Sequence, residues 1–240
     1  MNKTLFITRK INIGNIVIGG TNPVILQSMT NTDTKDIKNT YKQIIRLFEK
    51  ECNLIRISVR DEEDINIIKE LRKKLFINNI NISLIADVHY RKDIAEKIAN
   101  YVEKVRINPG NYIDKNIKNN YSYNDNSYEI EKITNNLIPL VKTCVKNNTA
   151  IRIGINQGSL SNRIKYLYGT DETALVKSAL EFITAFNNLN FHNIILSIKS
   201  SNPITTVLAN RLLIKEMIKN DINYPIHLGV TEAGDKIDAT

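Results

Sequence analysis

The stretch KVRINPGN, residues 104–111, has the composition of a buried strand that ends at a Pro-Gly turn, yet Arg106 lies between two apolar β-branched residues. The same arrangement recurs around Arg56 in LIRIS and around Arg152 in AIRIGIN. Because successive side chains of a strand point to opposite faces, each of these strands has one apolar face and one face that carries a guanidinium group. The three arginines therefore indicate strands whose second face lines something polar.

Short β-branched runs alternate with longer amphipathic stretches along the chain. The predicted strands are 24–29, 54–59, 83–88, 104–108, 150–155, 194–199 and 225–230. The predicted helices lie near 36–50, 62–76, 92–101, 129–147, 172–188 and 204–219, and the polar segment 111–128 is predicted to be a loop. Strands that alternate with helices indicate βαβ units and a parallel sheet.

Seven such strands in 240 residues predict an α/β fold of the TIM (β/α)₈ type, incomplete because an eighth strand is missing. The barrel is expected to form a single domain over residues 1–240, preceded by a β-hairpin in INIGNIVIGG. An open doubly wound sheet is the alternative fold. It is disfavoured because no GxGxxG fingerprint follows the first strand.

Composition limits the classes of function. The chain carries a formal charge of +8, but no basic run with interleaved aromatic residues occurs, and nucleic-acid binding is not predicted. No apolar run is long enough to cross a membrane, and the first residues lack a signal core, so we expect a cytoplasmic protein without a membrane partner. Two distant cysteines, Cys52 and Cys144, do not predict a metal site within this chain.

Period-two alternation places the polar residues of several strands on one common face. In a barrel this face points into the lumen, and active sites lie at the carboxyl ends of the strands. The residues on it are Arg56, Ser58, Asp87, His89, Arg106, Asn108, Arg152, Gly154, Asn156, Ser197, Lys199, His227, Gly229 and Thr231. Four cations in one lumen exceed the available carboxylates, which favours an anionic ligand such as a phosphate. A structural ion-pair network is the alternative interpretation.

The positions of three residues suggest individual roles. His89 follows Asp87 by two residues and is predicted to contact either that carboxylate or a substrate hydroxyl. Glu232 follows the last predicted strand, where a carboxylate could act on a substrate. Asp33 also follows a strand, but it could instead cap the next helix.

Five motifs together resemble the N-terminal barrel of the 4-hydroxy-3-methylbut-2-enyl diphosphate synthase family. They are NPVILQSMTNTDT, LIADVHY, VRINPGN, RIGINQGSLS and HLGVTEAG, and they occur in this order between Arg9 and Gly234. The stretch SALEFITAFNNLNFHNIILSIKSSNP is similar to the larger form of the family, which plants, chlamydiae and relatives of Bacteroidetes possess.

The resemblance implies an oxidoreductase of non-mevalonate isoprenoid (terpenoid) biosynthesis that opens the ring of 2-C-methyl-D-erythritol 2,4-cyclodiphosphate by two-electron reduction. The barrel of the family binds the cyclic diphosphate. A C-terminal domain carries a [4Fe-4S] cluster, and reduced ferredoxin or flavodoxin donates the electrons. Carried over by motif, the diphosphate clamp is Arg56, Arg106, Arg152 and Lys199, its polar neighbours are Asn108 and Asn156, and the acidic catalytic residues are Asp87 and Glu232.

The chain departs from the family after the last motif. It stops at Thr240, before the eighth strand and the cluster domain, and neither Cys52 nor Cys144 lies in the cluster motif. We therefore expect a truncated barrel that binds the substrate, with His89 among its contacts, but is inactive alone. The resemblance is compatible with a homodimer. Two alternatives remain: another phosphate- or pterin-binding barrel enzyme, and a catalytically silent basic barrel fragment.

Overall fold

The computed structural model describes residues 6–113, 121–122 and 126–229. Its strands are β1 Ile11–Ile13, β2 Ile16–Ile18, β3 Gln27–Met29, β4 Leu54–Val59, β5 Ser83–Val88, β6 Lys104–Ile107, β7 Ala150–Asn156 and β8 Ile194–Lys199. Its helices are α1 Ile37–Glu49, α2 Glu62–Ile77, α3 Lys92–Ile98, α4 Pro109–Tyr112, α5 Asn126–Asn147, α6 Asn162–Tyr168, α7 Glu172–Asn188 and α8 Pro203–Lys219. A short 3-10 helix covers Gln157–Ser159.

The strands form two sheets. β1 and β2 pair antiparallel, which confirms the predicted hairpin, and Gly14 in its turn has a φ of 58° that suits glycine. The other strands form one sheet in the order β3-β4-β5-β6-β7-β8, and the registers determined for β3 to β6 are parallel. Sequential parallel order with intervening helices is the βα repeat that the sequence predicts.

The chain divides into two compact units, which are described separately. We call residues 10–107 with 139–152 the N-terminal unit, and residues 6–9, 108–138 and 153–229 the C-terminal unit. The N-terminal unit contains the hairpin and the strands β3 to β6. The C-terminal unit contains α4, α6, α7, β8 and α8.

The apolar face of β4 in the N-terminal unit is fully buried, with Ile55 and Ile57 both at 0% exposure. Helix α2 contacts this strand and contributes buried Ile68 and Leu71. The helix begins where Asp61 accepts a hydrogen bond from the backbone N–H of Asp64, and the acidic residues of its first turn favour the positive end of the helix dipole. Local capping and amphipathic spacing thus place the helix against the strand.

Two predicted strands differ from the structure. The predicted strand 24–29 begins only at Gln27, and Val24 and Leu26 are 92% and 68% exposed. The predicted strand 225–230 is reduced, among its described residues, to a single parallel bridge between Ile226 and Leu196. Pro225 has no N–H to extend the ladder. The sheet of the described residues therefore has six strands rather than the seven predicted.

Two helices, α4 and α6, and the first turn of α5 were absent from the prediction. Helix α4 begins at Pro109, α5 begins at Asn126 inside the predicted loop 111–128, and α6 covers Asn162–Tyr168. Proline is favoured in the first turn of a helix, because its missing N–H would have no partner there anyway. The Pro-Gly pair that ends β6 therefore starts a helix instead of an open turn.

Among the described helices, none combines the length and the apolar composition that a bilayer crossing requires.

Candidate functional site

Parallel register brings the polar side chains of β4, β5 and β6 onto one face of the N-terminal unit. Asp87 lies beside Ser58 on one neighbouring strand and beside Arg106 on the other. Residues in register point to the same side of a sheet. The contacts of Asp87 with Arg56 and Arg106 confirm that these three residues share one face, as period-two alternation predicts.

Asp87 is the centre of this cluster. Its Oδ1 accepts a hydrogen bond from Arg106 Nη1 at 3.2 Å, and its Oδ2 lies 3.5 Å from Arg56 Nε and 3.3 Å from His89 Nε2. Burial alone would raise the pKa of Asp87, but the His89 hydrogen bond and the charges of Arg106 and Arg56 outweigh it and hold that pKa well below its usual range. The carboxylate is therefore ionised at neutral pH.

His89 lies between the carboxylate and Arg106. The two ring nitrogens, Nδ1 and Nε2, are 3.2 and 3.3 Å from Arg106 Nη1. A neutral ring that donates from Nε2 to Asp87 can accept from Arg106 at Nδ1, which fits all three groups. The cluster is open on this side, because the side chains of His89 and Arg56 are 39% and 20% exposed while that of Asp87 is 4% exposed.

Arg152 is the most deeply buried arginine of the cluster, at 2% exposure. Among the described residues, its Nε and Nη1 atoms have no hydrogen-bond partner. Burial, followed by repulsion from Arg56, lowers the pKa of this guanidinium. Buried donors without partners are unfavourable, and an anion that accepts from them would relieve this cost. Arg152 therefore indicates a place for a negatively charged ligand.

Lys104 belongs to the same face and was not among the predicted site residues. It is 1% exposed, and its Nζ donates to Gln27 Oε1 at 2.9 Å. Burial, and then the charges of Arg152 and Arg56, lower the pKa of Lys104 well below its usual range. Its position two residues before Arg106 is the sequence signal that could have identified it.

Asn108 lies in the C-terminal unit and caps α4. Its Oδ1 accepts from the backbone N–H of Gly110 at 3.2 Å, and its Nδ2 donates to Ser159 Oγ at 2.8 Å. A Cβ atom on Gly110 would lie 1.7 Å from the Ser159 carbonyl oxygen, so only glycine fits this approach. Ser159 was not predicted as a site residue; it orients the Asn108 amide.

Two more predicted residues also end strands of the C-terminal unit. Asn156 ends β7 and Lys199 ends β8, and both are half-buried. Lys199 Nζ would lie 3.0 Å from a Cβ atom on Gly229, so the absent side chain leaves room for the ammonium group. Glu232 lies outside the described residues, and its predicted role stays a prediction.

The structure thus sorts the described site residues into two groups. Those in mutual contact within the N-terminal unit are Arg56, Asp87, His89 and Arg106, with Arg152 close enough to interact by charge. Those in the C-terminal unit are Asn108, Asn156 and Lys199. Within the N-terminal unit, three guanidinium groups surround one carboxylate, and this surplus of positive charge suits an anion.

The two cysteines of the chain do not fit a [4Fe-4S] cluster, which generally takes four thiolate ligands. Burial raises the pKa of Cys144 to about 12, which disfavours the thiolate that binds metal. Cys52 is buried, and its Sγ lies 3.3 Å from the Leu54 carbonyl oxygen. Across the part of the chain that the structure describes, no three His, Cys, Asp or Glu residues are grouped to hold a metal ion.

Solved structures share the fold of this chain at low sequence identity. A type I 3-dehydroquinate dehydratase from Clostridium difficile aligns with a TM-score of 0.59 at 18% identity, covering 94% of this chain and 82% of that one. A 7,8-dihydropteroate synthase from Vibrio fischeri aligns with a TM-score of 0.53 at 11% identity, covering 91% and 76%. Likeness at this identity shows the fold alone.

Curated relatives are much more similar in sequence. A 4-hydroxy-3-methylbut-2-en-1-yl diphosphate synthase (flavodoxin) of Protochlamydia amoebophila is 42% identical over 234 residues, which are 96% of this chain and 36% of that protein. The chloroplastic ferredoxin-type synthase of Arabidopsis thaliana is 39% identical, covering 96% and 32%, and a ferredoxin-type synthase of Prochlorococcus marinus is 42% identical, covering 95% and 57%. The chain spans only part of the length of these relatives.

The sequence model of one protein family, the GcpE TIM-barrel domain, matches residues 8–240. This match includes every strand that carries the cationic cluster, and it confirms the predicted TIM-type fold. The chain belongs to the GcpE TIM-barrel domain family.

Proposed function

We propose that this chain is the substrate-binding barrel of a reductase that converts 2-C-methyl-D-erythritol 2,4-cyclodiphosphate to 4-hydroxy-3-methylbut-2-enyl diphosphate in isoprenoid biosynthesis. The observation that carries the proposal is the cluster of Arg56, Arg106 and Arg152 around the carboxylate of Asp87 within the N-terminal unit. The names of the curated relatives supply the product, and the flavodoxin or ferredoxin that they mention supports a reduction.

The cluster is suited to a diphosphate for electrostatic and geometric reasons. Guanidinium groups present planar pairs of N–H donors that match phosphate oxygens, and a diphosphate offers several acceptors to separate arginines. Arg152 supplies two donor atoms that have no partner among the described residues. The more exposed side, at Arg56 and His89, is the expected entrance for the ligand.

Asp87 and Glu232 have different proposed roles. Because its pKa is held low, Asp87 remains a carboxylate that accepts hydrogen bonds and orients Arg106 and His89. It is poorly suited to donate a proton at neutral pH. Glu232 is the proposed acid that assists the departure of the hydroxyl group as water.

Four further residues are proposed to contact the substrate: His89, Asn108, Asn156 and Lys199. Asn108 is held by Ser159, and Lys199 ends β8 beside Gly229. An amide and an ammonium group could both donate hydrogen bonds to phosphate oxygens. These assignments follow the family motifs and stay proposals for each residue.

The proposed reaction needs two electrons, for which the family's [4Fe-4S] cluster would serve. Because Cys52 and Cys144 do not fit such a cluster, we assign no step of electron transfer to this chain. Flavodoxin or ferredoxin, which the relatives' names mention, is the proposed electron donor of the whole enzyme. A homodimer remains a prediction.

Calorimetric titration with 2-C-methyl-D-erythritol 2,4-cyclodiphosphate tests the proposal, with 2-C-methylerythritol as the control that lacks phosphate. We expect binding of the cyclodiphosphate and none of the control at the same concentration. Tighter binding of a pterin would support another barrel enzyme, and binding only to heparin, a bulk polyanion, would support a catalytically silent basic barrel. Either of these results would overturn the proposal.

A further inference from the structure

Lys104 is a buried lysine that the proposed binding role leaves without a function. Its side chain extends from β6 to Gln27 on β3, although β4 and β5 lie between these strands in the sheet order. The N-terminal unit must therefore curve around the lumen, and the amine lies inside that curve. At 1% exposure the amine has almost no contact with solvent.

The groups that face Lys104 are predominantly cationic. Arg56 on β4 and Arg152 on β7 both act on its charge, and Gln27 on β3 accepts its hydrogen bond without carrying a charge. Asp87 on β5 is in contact with Arg106 and Arg56. An ammonium group at Lys104 would add a further positive charge to this cationic cluster, so the neutral amine is favoured when no anion is bound.

We infer that Lys104 is the proton acceptor of the anion site: its buried amine takes up one proton from the buffer when a dianionic ligand binds at Arg56, Arg106 and Arg152. The amine becomes an ammonium group and no other bond changes. This inference rests on the proposed function, because the ligand must be an anion held by these arginines.

The physical reason is mutual stabilisation of opposite charges. A dianion among the arginines cancels the repulsion that keeps Lys104 neutral, and its field in a poorly solvated lumen favours an ammonium group nearby. Linkage then requires tighter binding at lower pH, because protons and ligand bind together. Protonation of Lys104 would thus add one positive charge to the site when the dianion binds.

The cyclodiphosphate is a suitable probe because each phosphorus carries one strongly acidic hydroxyl group. The ligand therefore stays a dianion near neutral pH and releases or takes up no proton itself. Calorimetry in two buffers with different enthalpies of ionisation, repeated from about pH 6 to about pH 9, measures the protons taken up by the protein per ligand bound.

The decisive comparison is between the wild type and Lys104→Met, with Lys50→Met as the control for loss of an exposed lysine. Because both proteins retain His89, subtracting the proton uptake of Lys104→Met from that of the wild type removes the protons that His89 takes up. Upon binding the ligand, the wild type should take up as much as about one proton more than Lys104→Met. The affinity of the wild type should fall by up to about tenfold for each unit that the pH rises between about pH 6 and about pH 9. Lys50→Met should behave as the wild type.

Two failures can be told apart. If the cyclodiphosphate binds with equal proton uptake in the wild type and Lys104→Met, the inference is wrong while the proposed function stands. If the wild type does not bind the cyclodiphosphate at all, the proposed function fails and the inference fails with it. The wild-type pH dependence needs no variant, so a Lys104→Met protein that does not fold still leaves a test: an affinity independent of pH would overturn the inference.

Discussion

Two buried arginine–carboxylate pairs, one in each unit, differ in the charges around them. In the N-terminal unit Arg106 pairs with Asp87, and the two side chains are 3% and 4% exposed. In the C-terminal unit Arg163 of α6 pairs with Glu181 of α7, and the side chains are 5% and 10% exposed. Burial and chemistry are therefore nearly the same in both pairs.

The two pairs differ in the charge balance around them, because Glu129 near the second pair is itself paired with Lys132. Arg56 and Arg152 act on Asp87 besides its partner, so positive charge dominates there. Beside Arg163 and Glu181 lies a cavity of about 20 Å³, lined also by Glu129 and Ser178, which has room for about one water molecule. The first pair suits an anionic ligand, and the second is a structural contact between helices. A buried ion pair indicates function only together with the charge balance around it.

The largest expected effect is on the structural pair. Arg163→Met leaves Glu181 buried without its main cationic partner, and we expect the free energy of unfolding to fall by about 3–5 kcal/mol. Urea denaturation measures this loss. The double variant Arg163→Met/Glu181→Leu should recover most of it, because both charges are then absent. A loss below about 1 kcal/mol in the single variant would show that the pair is not structural.

The second prediction concerns Arg152. Arg152→Met removes charge-assisted donors, so we expect affinity for the cyclodiphosphate to fall about 30- to 150-fold, equal to about 2–3 kcal/mol. The free energy of unfolding should be unchanged or higher, because the variant removes a buried cation that contacts no carboxylate among the described residues. Exposed Arg46→Met is the matched control. A variant that mainly unfolds and retains its affinity would favour the structural ion-pair network.

The third prediction concerns Asp87 and acid. Its folded-state pKa is depressed, so the carboxylate stabilises the fold above the unfolded-state pKa of about 3.9, and this contribution is lost as pH falls from there toward the folded-state value. Asp87→Asn should therefore lower the free energy of unfolding by about 2 kcal/mol at neutral pH and by less in strong acid. Thermal unfolding at several pH values measures the difference. A difference that stays constant down to about pH 2 would contradict the assignment.

The smallest expected effect comes from Lys104. Its folded-state pKa is depressed, so below the unfolded-state pKa of about 10.4 folding must discharge the amine, which disfavours the folded state. Lys104→Met should raise the free energy of unfolding at neutral pH by an amount on the order of 1 kcal/mol, after loss of the Gln27 hydrogen bond. The gain should shrink progressively as pH rises from neutrality toward about 10.4, where the unfolded-state amine also loses its proton. Destabilisation without pH dependence would mean that Lys104 is only a packing residue.

The sequence by itself determined the βα order and the face on which the arginines lie. Both follow from local rules, since alternation along a strand and apolar spacing along a helix depend on neighbouring residues alone. Arg56, Asp87 and Arg106 could therefore be assigned to one face without a structure. The N-terminal hairpin was predicted for the same reason, because its turn lies within a few residues.

The tertiary structure alone decided which distant residues meet. Gln27 and Lys104 are 77 positions apart, and Asn108 and Ser159 are 51 apart, so no local pattern joins them. Only the sheet register and curvature bring Lys104 to Gln27, and only the close approach of Gly110 to Ser159 explains that glycine. The pairing of Arg163 with Glu181 was likewise invisible in the sequence, because it depends on which side chains two separate helices bring together.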